Sequence, residues 1–171
     1  MKRCVVCAAL CLLTLLCGCR TREAQEAFFV QDTVPDVPQL RYTIRFESPD
    51  GAREVLKTDD VTRCEAEDGS YVITTQVFPA ESAAEAIRAM TGSEAERLAP
   101  IRTTRMDMAE YRFSWCAEDE RGTWLCTGDL LEDEDCCYGI AVCLREDAAP
   151  RYRELKQTAL ATFSLFYDEG F

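Results

Sequence analysis

The side chains in this sequence best suited to holding a metal ion form a dense acidic run in its carboxyl-terminal third. The run contains Asp129, Glu132, Asp133, Glu134 and Asp135. Carboxylate oxygens are the ligands that Ca²⁺ prefers, and the ion takes roughly six to eight of them. The run lacks the glycine and the spacing of a calcium-binding loop, however, and charged hairpin turns are common. We therefore predict a turn here, with neither a metal site nor a cofactor.

The composition argues against the common hydrolytic mechanisms. The sequence contains no histidine, and Ser–His–Asp and Cys–His sites both use an imidazole to activate the nucleophile. Histidine is also the commonest metal ligand. The cysteines after residue 19 form no Cys-x-x-Cys motif, so neither a thioredoxin-like site nor a zinc knuckle is supported. We predict a protein that is not an enzyme.

The amino terminus has the parts of an export signal. Residues 1–3 are Met-Lys-Arg, and residues 4–17 are apolar except for Thr14. A basic start, an apolar stretch and small residues at a cleavage point are typical of a secretory signal. The apolar stretch is about fourteen residues long, whereas a helix needs roughly twenty to cross a bilayer. The sequence therefore predicts a signal and not a permanent membrane span.

The end of this segment, Leu16-Cys17-Gly18-Cys19, resembles the lipobox of bacterial lipoproteins. That motif has an aliphatic residue, a small residue, Gly or Ala, and the cysteine that is invariant in the family. The resemblance implies that the sulfur of Cys19 gains a diacylglyceryl group and that a signal peptidase cuts before it. Cys17 would leave with the signal. Two acyl chains anchor a protein durably, so we expect a membrane-anchored chain facing outside the cytoplasm; an ordinary secretory signal or a core helix is the alternative.

The charge of the chain limits its partners. The sequence has 31 acidic and 19 basic residues, a net charge of −12. Removal of residues 1–18 takes Lys2 and Arg3 away and lowers the net charge to −14. Such a domain is repelled by nucleic acid and by anionic lipid surfaces. We predict no nucleic-acid partner, a membrane attachment that depends on the lipid on Cys19, and an envelope protein as the candidate partner.

Six of the eleven cysteines lie beyond the signal and Cys19, at positions 64, 116, 126, 136, 137 and 143. An even number in an exported domain permits up to three disulfides. The signal itself contains four cysteines that no bridge could use, so cysteine also serves here as a small apolar residue. Cys116 and Cys126 flank a predicted turn at a spacing that suits a cross-strand pair. We predict this pair first and leave the other cysteines open.

The chain is predicted to hold a signal at 1–18, a lipidated cysteine with a flexible tether at 19–39, and one domain at 40–171. Tyr42, Ile44 and Phe46 alternate with polar residues as in a half-buried strand. The turn-forming sequence at 48–51 predicts a hairpin with a strand at 54–57. Further strands are predicted at 61–65, 70–78, 101–106, 109–117, 123–131 and 136–145, with the last three as an antiparallel meander.

Helices are predicted on both sides of this sheet. Ser82 and Glu85 form a capping box that starts a helix, and Gly92 ends it. A short second helix ends near Pro100, and a third begins at Pro150, with apolar residues at helical spacing for about four turns. Residues 136–144 are apolar on both strand faces, which indicates a sheet covered on both sides. The predicted fold is α+β: a sandwich-like antiparallel sheet of about six or seven strands covered by helices.

Aromatic residues cluster on the predicted hairpins: Tyr111, Phe113, Trp115, Trp124 and Tyr138. Aromatic side chains line many ligand pockets, but a stripe of this kind is more often part of the core. We predict a core role for them.

The order of the predicted elements is similar to that of PsbP-like and DcrB-like domains. The stretches that carry this resemblance are YVITTQVFP, SAAEAI, EYRFSW and ATFSLF, within residues 40–167. Those families imply a non-enzymatic accessory or binding domain and supply no site residues that match here. We expect a lipid-anchored envelope protein with such a domain. The alternatives are a thiol–disulfide protein and a Ca²⁺-dependent interaction module.

Overall fold

A computed structural model describes residues 42–80, 82–134 and 136–167 of the chain. The signal, Cys19 and the tether predicted from the sequence lie outside the described residues. The described part contains nine strands and three helices. They are β1 (Tyr42–Arg45), β2 (Ala52–Lys57), β3 (Val61–Ala66), β4 (Tyr71–Phe78), α1 (Ala83–Thr91), α2 (Ala95–Leu98), β5 (Ile101–Arg105), β6 (Met108–Asp119), β7 (Gly122–Glu132), β8 (Cys137–Arg145), α3 (Arg153–Thr162) and β9 (Ser164–Tyr167).

Seven strands form one antiparallel sheet in the order β2-β3-β4-β8-β7-β6-β5. The predicted fold class is confirmed, as is the meander of the last three long strands. Strand β8 occupies the middle position. It pairs with β7, its neighbour in sequence, and with β4, which precedes it by about sixty residues. The sheet is thus two three-stranded meanders joined through β8.

Both faces of β8 are covered, as its composition predicts. Every residue from Cys137 to Val142 is buried. Successive side chains of a strand point to opposite faces. Tyr138, Ile140 and Val142 share one hydrophobic cluster with helix α3, and we call this side the α3 face. Cys137 joins a second cluster with helix α1, on the side we call the α1 face.

Helix α1 begins and ends at the residues that the sequence indicates. The side-chain oxygen of Ser82 accepts a hydrogen bond from the backbone N–H of Glu85 at 3.3 Å, which satisfies a donor that the first turn leaves free. Gly92 follows the helix with a φ of 71°, a conformation that glycine adopts without strain. Ala83, Ala86 and Ile87 are the buried residues of the helix. They hold it against the α1 face.

The predicted hairpin between the first two strands is wrong. Strand β1 pairs with β9, with Tyr42 opposite Tyr167 and Arg45 opposite Ser164. Strand β2 instead pairs with β3. The turn-forming residues at 48–51 still reverse the chain, and the backbone N–H of Ala52 donates to the carbonyl of Pro49. They connect two separate sheets, because the apolar side of β1 packs on the α3 face.

The closing helix is shorter than its apolar spacing predicts. Helix α3 starts at Arg153, after a turn that contains Pro150, and ends at Thr162. Phe163 has a ψ of 122°, outside the helical region. The Thr162 hydroxyl donates to the carbonyl of Thr158 and accepts a hydrogen bond from the backbone N–H of Glu47 at 2.9 Å. This contact joins the helix end to the β1 side, where the following residues continue as strand β9.

The turn between β5 and β6 has an unusual backbone. Arg105 pairs with Met108, so Met106 and Asp107 form a two-residue loop. Their φ angles are 55° and 62°, the positive values of a type I′ turn, in which Asn-Gly is the favoured pair. Residues other than glycine are strained in this region. The register of edge strand β5 therefore depends on a turn with unfavourable residues.

We expect Asp107→Gly to stabilise the protein by about 0.5–1 kcal/mol, because glycine removes the strain of a positive φ. The corresponding rise in Tm is about 2 °C, measured by thermal unfolding. Asp59→Gly is the matched control, since it removes the same charge at a position without positive φ and should lower Tm. An equal rise in both variants would show that charge, and not turn geometry, is responsible.

Candidate functional site

The acidic run at 129–135 does not gather its described carboxylates around one point. Asp129 lies opposite Ile140 on the α3 face, whereas Glu132 lies opposite Cys137 on the α1 face. Asp135 is outside the described residues. Elsewhere in the described chain, no group of three or more acidic or sulfur ligands is arranged to hold a metal ion. Strand alternation has separated residues that are close in sequence.

Glu132 fastens helix α1 to the sheet. Its Oε1 accepts a hydrogen bond from the backbone N–H of Ala83 at 2.8 Å, and its Oε2 accepts one from the Tyr111 hydroxyl at 2.8 Å. A carboxylate at the first turn of a helix also interacts favourably with the helix dipole. Burial and the Glu132 carboxylate together raise the pKa of Tyr111. The role of Glu132 is therefore structural.

Asp129 belongs to a set of four charged residues that we call the arginine–carboxylate cluster: Arg105, Glu110, Arg112 and Asp129. Asp129 is completely buried. Its Oδ2 accepts a hydrogen bond from Arg112 at 2.7 Å and lies 3.4 Å from Nη2 of Arg105. The same Arg105 nitrogen is 3.1 Å from Oε1 of Glu110. The cluster joins strands β5, β6 and β7 on the α3 face.

The two carboxylates of this cluster differ in their electrostatics. Burial raises the pKa of Asp129, although Arg112 acts in the opposite direction. Burial also acts to raise the pKa of Glu110, but a hydrogen bond from the Thr103 hydroxyl at 2.5 Å, together with Arg105, holds that pKa below its ordinary value. Oδ1 of Asp129 and Nε of Arg105 are buried without a hydrogen-bond partner in the described chain. The set forms one ion network around a fully buried carboxylate, and both of its carboxylates are paired with arginine.

The structure pairs Cys126 with Cys143 in a disulfide, so the predicted Cys116–Cys126 pair is wrong. Strand register explains the difference. Cys126 lies directly opposite Cys143 on neighbouring strands, on the α1 face. Cys116 lies opposite Leu125 and points to the other face. The spacing of ten residues brings Cys116 close to Cys126 along the hairpin, but its side chain lies on the opposite face of the sheet.

The remaining described thiols give little support to a redox site. Burial raises the pKa of Cys137 to about 12 and also raises the pKa of Cys64. A reactive cysteine needs a thiolate, which a raised pKa suppresses. Cys116 is the exposed thiol of the described residues.

The clustered aromatic residues are largely core. Phe113 and Trp124 are buried on the α1 face, and Tyr138 is buried on the opposite face. The rings of Phe113 and Trp115 stack with centroids 5.6 Å apart. They lie across Gly128, where a Cβ atom would approach the Phe113 ring to 2.7 Å. Trp124 donates its indole N–H to Asp119 at 2.9 Å. None of these described rings lines the groove found on the other face.

That groove runs between helix α3 and the ends of strands β7 and β8, and we call it the α3 groove. It has a volume of about 320 Å³. Leu125 and Leu144 form its floor, and Arg153 and Lys156 of α3 form one wall. Ligand sites are concave, largely apolar and supplied with a few polar groups. The α3 groove has these features and is the candidate binding site.

Comparison with known proteins relates this chain to others through its fold. No family model matches the sequence, and no curated protein matches it. The solution structure of the cyanobacterial PsbP protein CyanoP from Synechocystis is similar, with a TM-score of 0.51 and 9% sequence identity. The match covers 74% of this chain and 93% of CyanoP. The chain is thus similar in fold to PsbP, as the order of its elements predicts; the resemblance to DcrB-like domains stays a prediction.

Two further solved structures are less similar. One comes from Bacteroides thetaiotaomicron, with a TM-score of 0.49 and 9% sequence identity. It covers 77% of this chain, which spans only 47% of that longer protein. The other is LpqN, involved in cell envelope biogenesis of Mycobacterium tuberculosis, with a TM-score of 0.42 and 7% identity over 72% of this chain and 83% of that one.

Replacement of Arg112 by Gln should destabilise the protein, because it leaves the buried Asp129 carboxylate without its nearest partner. We expect the unfolding free energy at pH 7 to fall by about 2–3 kcal/mol, measured by urea denaturation. The loss should be smaller near pH 4. A carboxyl group whose pKa is raised in the folded state stabilises it at low pH, and this stabilisation is lost as the pH rises.

Arg88→Gln serves as the matched control for that experiment. Its partner Glu94 lies 3.9 Å away, and both side chains are more than half exposed. The loss of unfolding free energy should therefore be much smaller and should not depend on the protonation of Asp129. A loss in Arg112→Gln that does not exceed the control at pH 7 would contradict the role given to the cluster.

Native alkylation should distinguish the cysteines. In unreduced full-length protein we expect iodoacetamide to label Cys116, because this thiol is exposed, and digestion to release Cys126 and Cys143 as one linked peptide pair, both detected by mass spectrometry. Replacing Cys126 and Cys143 by Ser should cost about 2–4 kcal/mol of stability, whereas Cys116→Ser should cost little. A peptide linking Cys116 to Cys126 would refute this assignment.

Proposed function

We propose that the protein is a membrane-anchored extracytoplasmic lipoprotein whose single domain acts as a non-enzymatic binding or accessory module. The observation that carries the proposal is the sequence Leu16-Cys17-Gly18-Cys19 at the end of a short apolar signal. Acylation of Cys19 would supply the two chains that hold a protein at a membrane. A net charge of −14 after cleavage makes electrostatic attachment to anionic lipid unfavourable.

The disulfide supports a location outside the cytoplasm. Disulfides persist in oxidising compartments and are rare in the cytosol. The Cys126–Cys143 bond crosses strands β7 and β8 in the middle of the sheet. The three helices of the described chain also lack the length and apolar composition to cross a bilayer. An attachment through Cys19 would need no contribution from them.

The chemistry of the described side chains favours binding over catalysis. The most deeply buried carboxylate, Asp129, is held by two arginines, and Glu132 is held by the start of helix α1 and by Tyr111. Neither is positioned to accept a proton from a bound molecule, and the sequence offers no histidine to do so. Among the described residues, the α3 groove offers a concave surface for a ligand or partner.

Cys19→Ala should release the protein from the membrane or leave it uncleaved, because the residue that is acylated is gone. The measurement is fractionation of cells that express the full chain, combined with labelling by radioactive palmitate. Cys17→Ala is the matched control: it removes a thiol two residues away and should change neither the label nor the fraction. Retention and labelling of Cys19→Ala would overturn the proposal, as would loss of labelling in Cys17→Ala alone.

A further inference from the structure

The α3 groove combines an apolar floor with an unusual exposure of a central strand. Strand β7 has a neighbour on each side, yet Leu125 is 38% exposed. Helix α3 packs on the buried residues of β8, whereas Leu125 belongs to none of the hydrophobic clusters of the described residues. Ala149 and Pro150 continue the apolar surface from the turn that precedes the helix. A leucine in the interior of a sheet is thus left facing solvent in a concavity.

The charges at this groove are opposite to those of the protein as a whole. Arg153 and Lys156 lie three residues apart on α3, so they project from adjacent turns of the same side. Both line the groove, and neither forms an ion pair within residues 42–167 as far as these are described. Glu146 is the acidic residue of the lining. Two cations and one carboxylate therefore border an apolar concavity, which gives the groove a local excess of positive charge in a chain of net charge −12.

The size of the groove limits what it can hold. Ligand pockets usually have volumes of roughly 300–1,000 Å³, and this one, at about 320 Å³, is at the small end. It is too small for a lipid with two acyl chains. A single hydrocarbon chain would cover Leu125 and Leu144, while an anionic head group would meet Arg153 and Lys156.

We propose that the α3 groove binds a fatty acid, with the hydrocarbon chain on the Leu125–Leu144 floor and the carboxylate between Arg153 and Lys156. This inference deepens the proposed binding function by naming a ligand class, and it does not depend on the acylation of Cys19. Burial of methylene groups supplies the affinity, and the two cations select the sign of the head group. A peptide or a lysophospholipid would be a different occupant.

The test uses the full-length chain with Cys19→Ala, purified without detergent, so that no acyl anchor competes for the groove. Sodium dodecanoate, below its micelle concentration, is titrated by calorimetry, with dodecyltrimethylammonium as a ligand of equal chain length and opposite charge. We expect one dodecanoate per chain and binding of the cation at least about tenfold weaker. Decanoate, shorter by two methylenes, should bind about fifteenfold more weakly than dodecanoate.

Substitutions in the α3 groove test whether dodecanoate binds there. Arg153→Ala combined with Lys156→Ala should weaken the binding of dodecanoate about tenfold and should not weaken the binding of dodecyltrimethylammonium. Arg53→Ala combined with Arg97→Ala is the matched control, since it removes the same charge from exposed positions outside the groove and should change the affinity less than twofold. Leu125→Ser should weaken both ligands. Circular dichroism verifies that each variant is folded; because Leu125 is partly exposed already, its change should cost little stability.

The other possible results overturn either the ligand or the anchor, and they can be told apart. Equal binding of dodecanoate and the cation, or an equal loss in both double variants, would mean non-specific association. Tighter binding of a dodecanoyl lysophospholipid or of an acidic apolar peptide at the same residues would identify another occupant. Absence of dodecanoate binding together with membrane retention through Cys19 would reject the ligand and leave the anchored module standing. Binding with no effect of Cys19 on location would reject the anchor alone.

Discussion

The fold depends on the insertion of strand β8 between β4 and β7. The first meander, β2-β3-β4, and the second, β5-β6-β7, have no other strand pairing between them. Residues Cys137 to Val142 are buried on both sides, so the strand can form only when both faces have their cover. Helix α3 follows β8 in the chain and helix α1 precedes it. Pairing of the two meanders and docking of both helices are therefore parts of one cooperative event.

Local patterns were sufficient for most elements because each depends on nearby residues. The capping serine of α1 and its terminal glycine lie within about ten residues of the helix ends that they determine, and the β-branched and aromatic residues that indicate strand β4 lie within that strand. The continuous apolar composition of β8 even predicted cover on both faces. The fold class followed from these elements, and the similarity to PsbP followed from their order.

Pairings between distant parts of the chain were not predictable in the same way. Strand β1 has the pattern of a hairpin strand, but its partner β9 lies more than one hundred residues later. The four residues of β9 were hidden in an apolar repeat that also suits a helix. The disulfide depended on a register of β7 against β8 that spacing alone does not specify. Likewise, the sequence placed Asp129 near the end of a predicted strand and grouped it with a charged turn, because nothing near it revealed Arg105 and Arg112 across the sheet.

The tight turn at Met106 and Asp107 has a consequence for how the outermost strand is aligned. Strand β5 has one neighbour, so few ladder bonds oppose its displacement. A shift of one residue would turn every side chain of the strand to the opposite face. Arg105 would then leave Asp129 and Glu110, and a threonine would take its place beside two buried negative charges. The buried carboxylates thus favour the correct register of β5, because a shifted strand would leave them without Arg105 as a partner and would raise the free energy of the folded state.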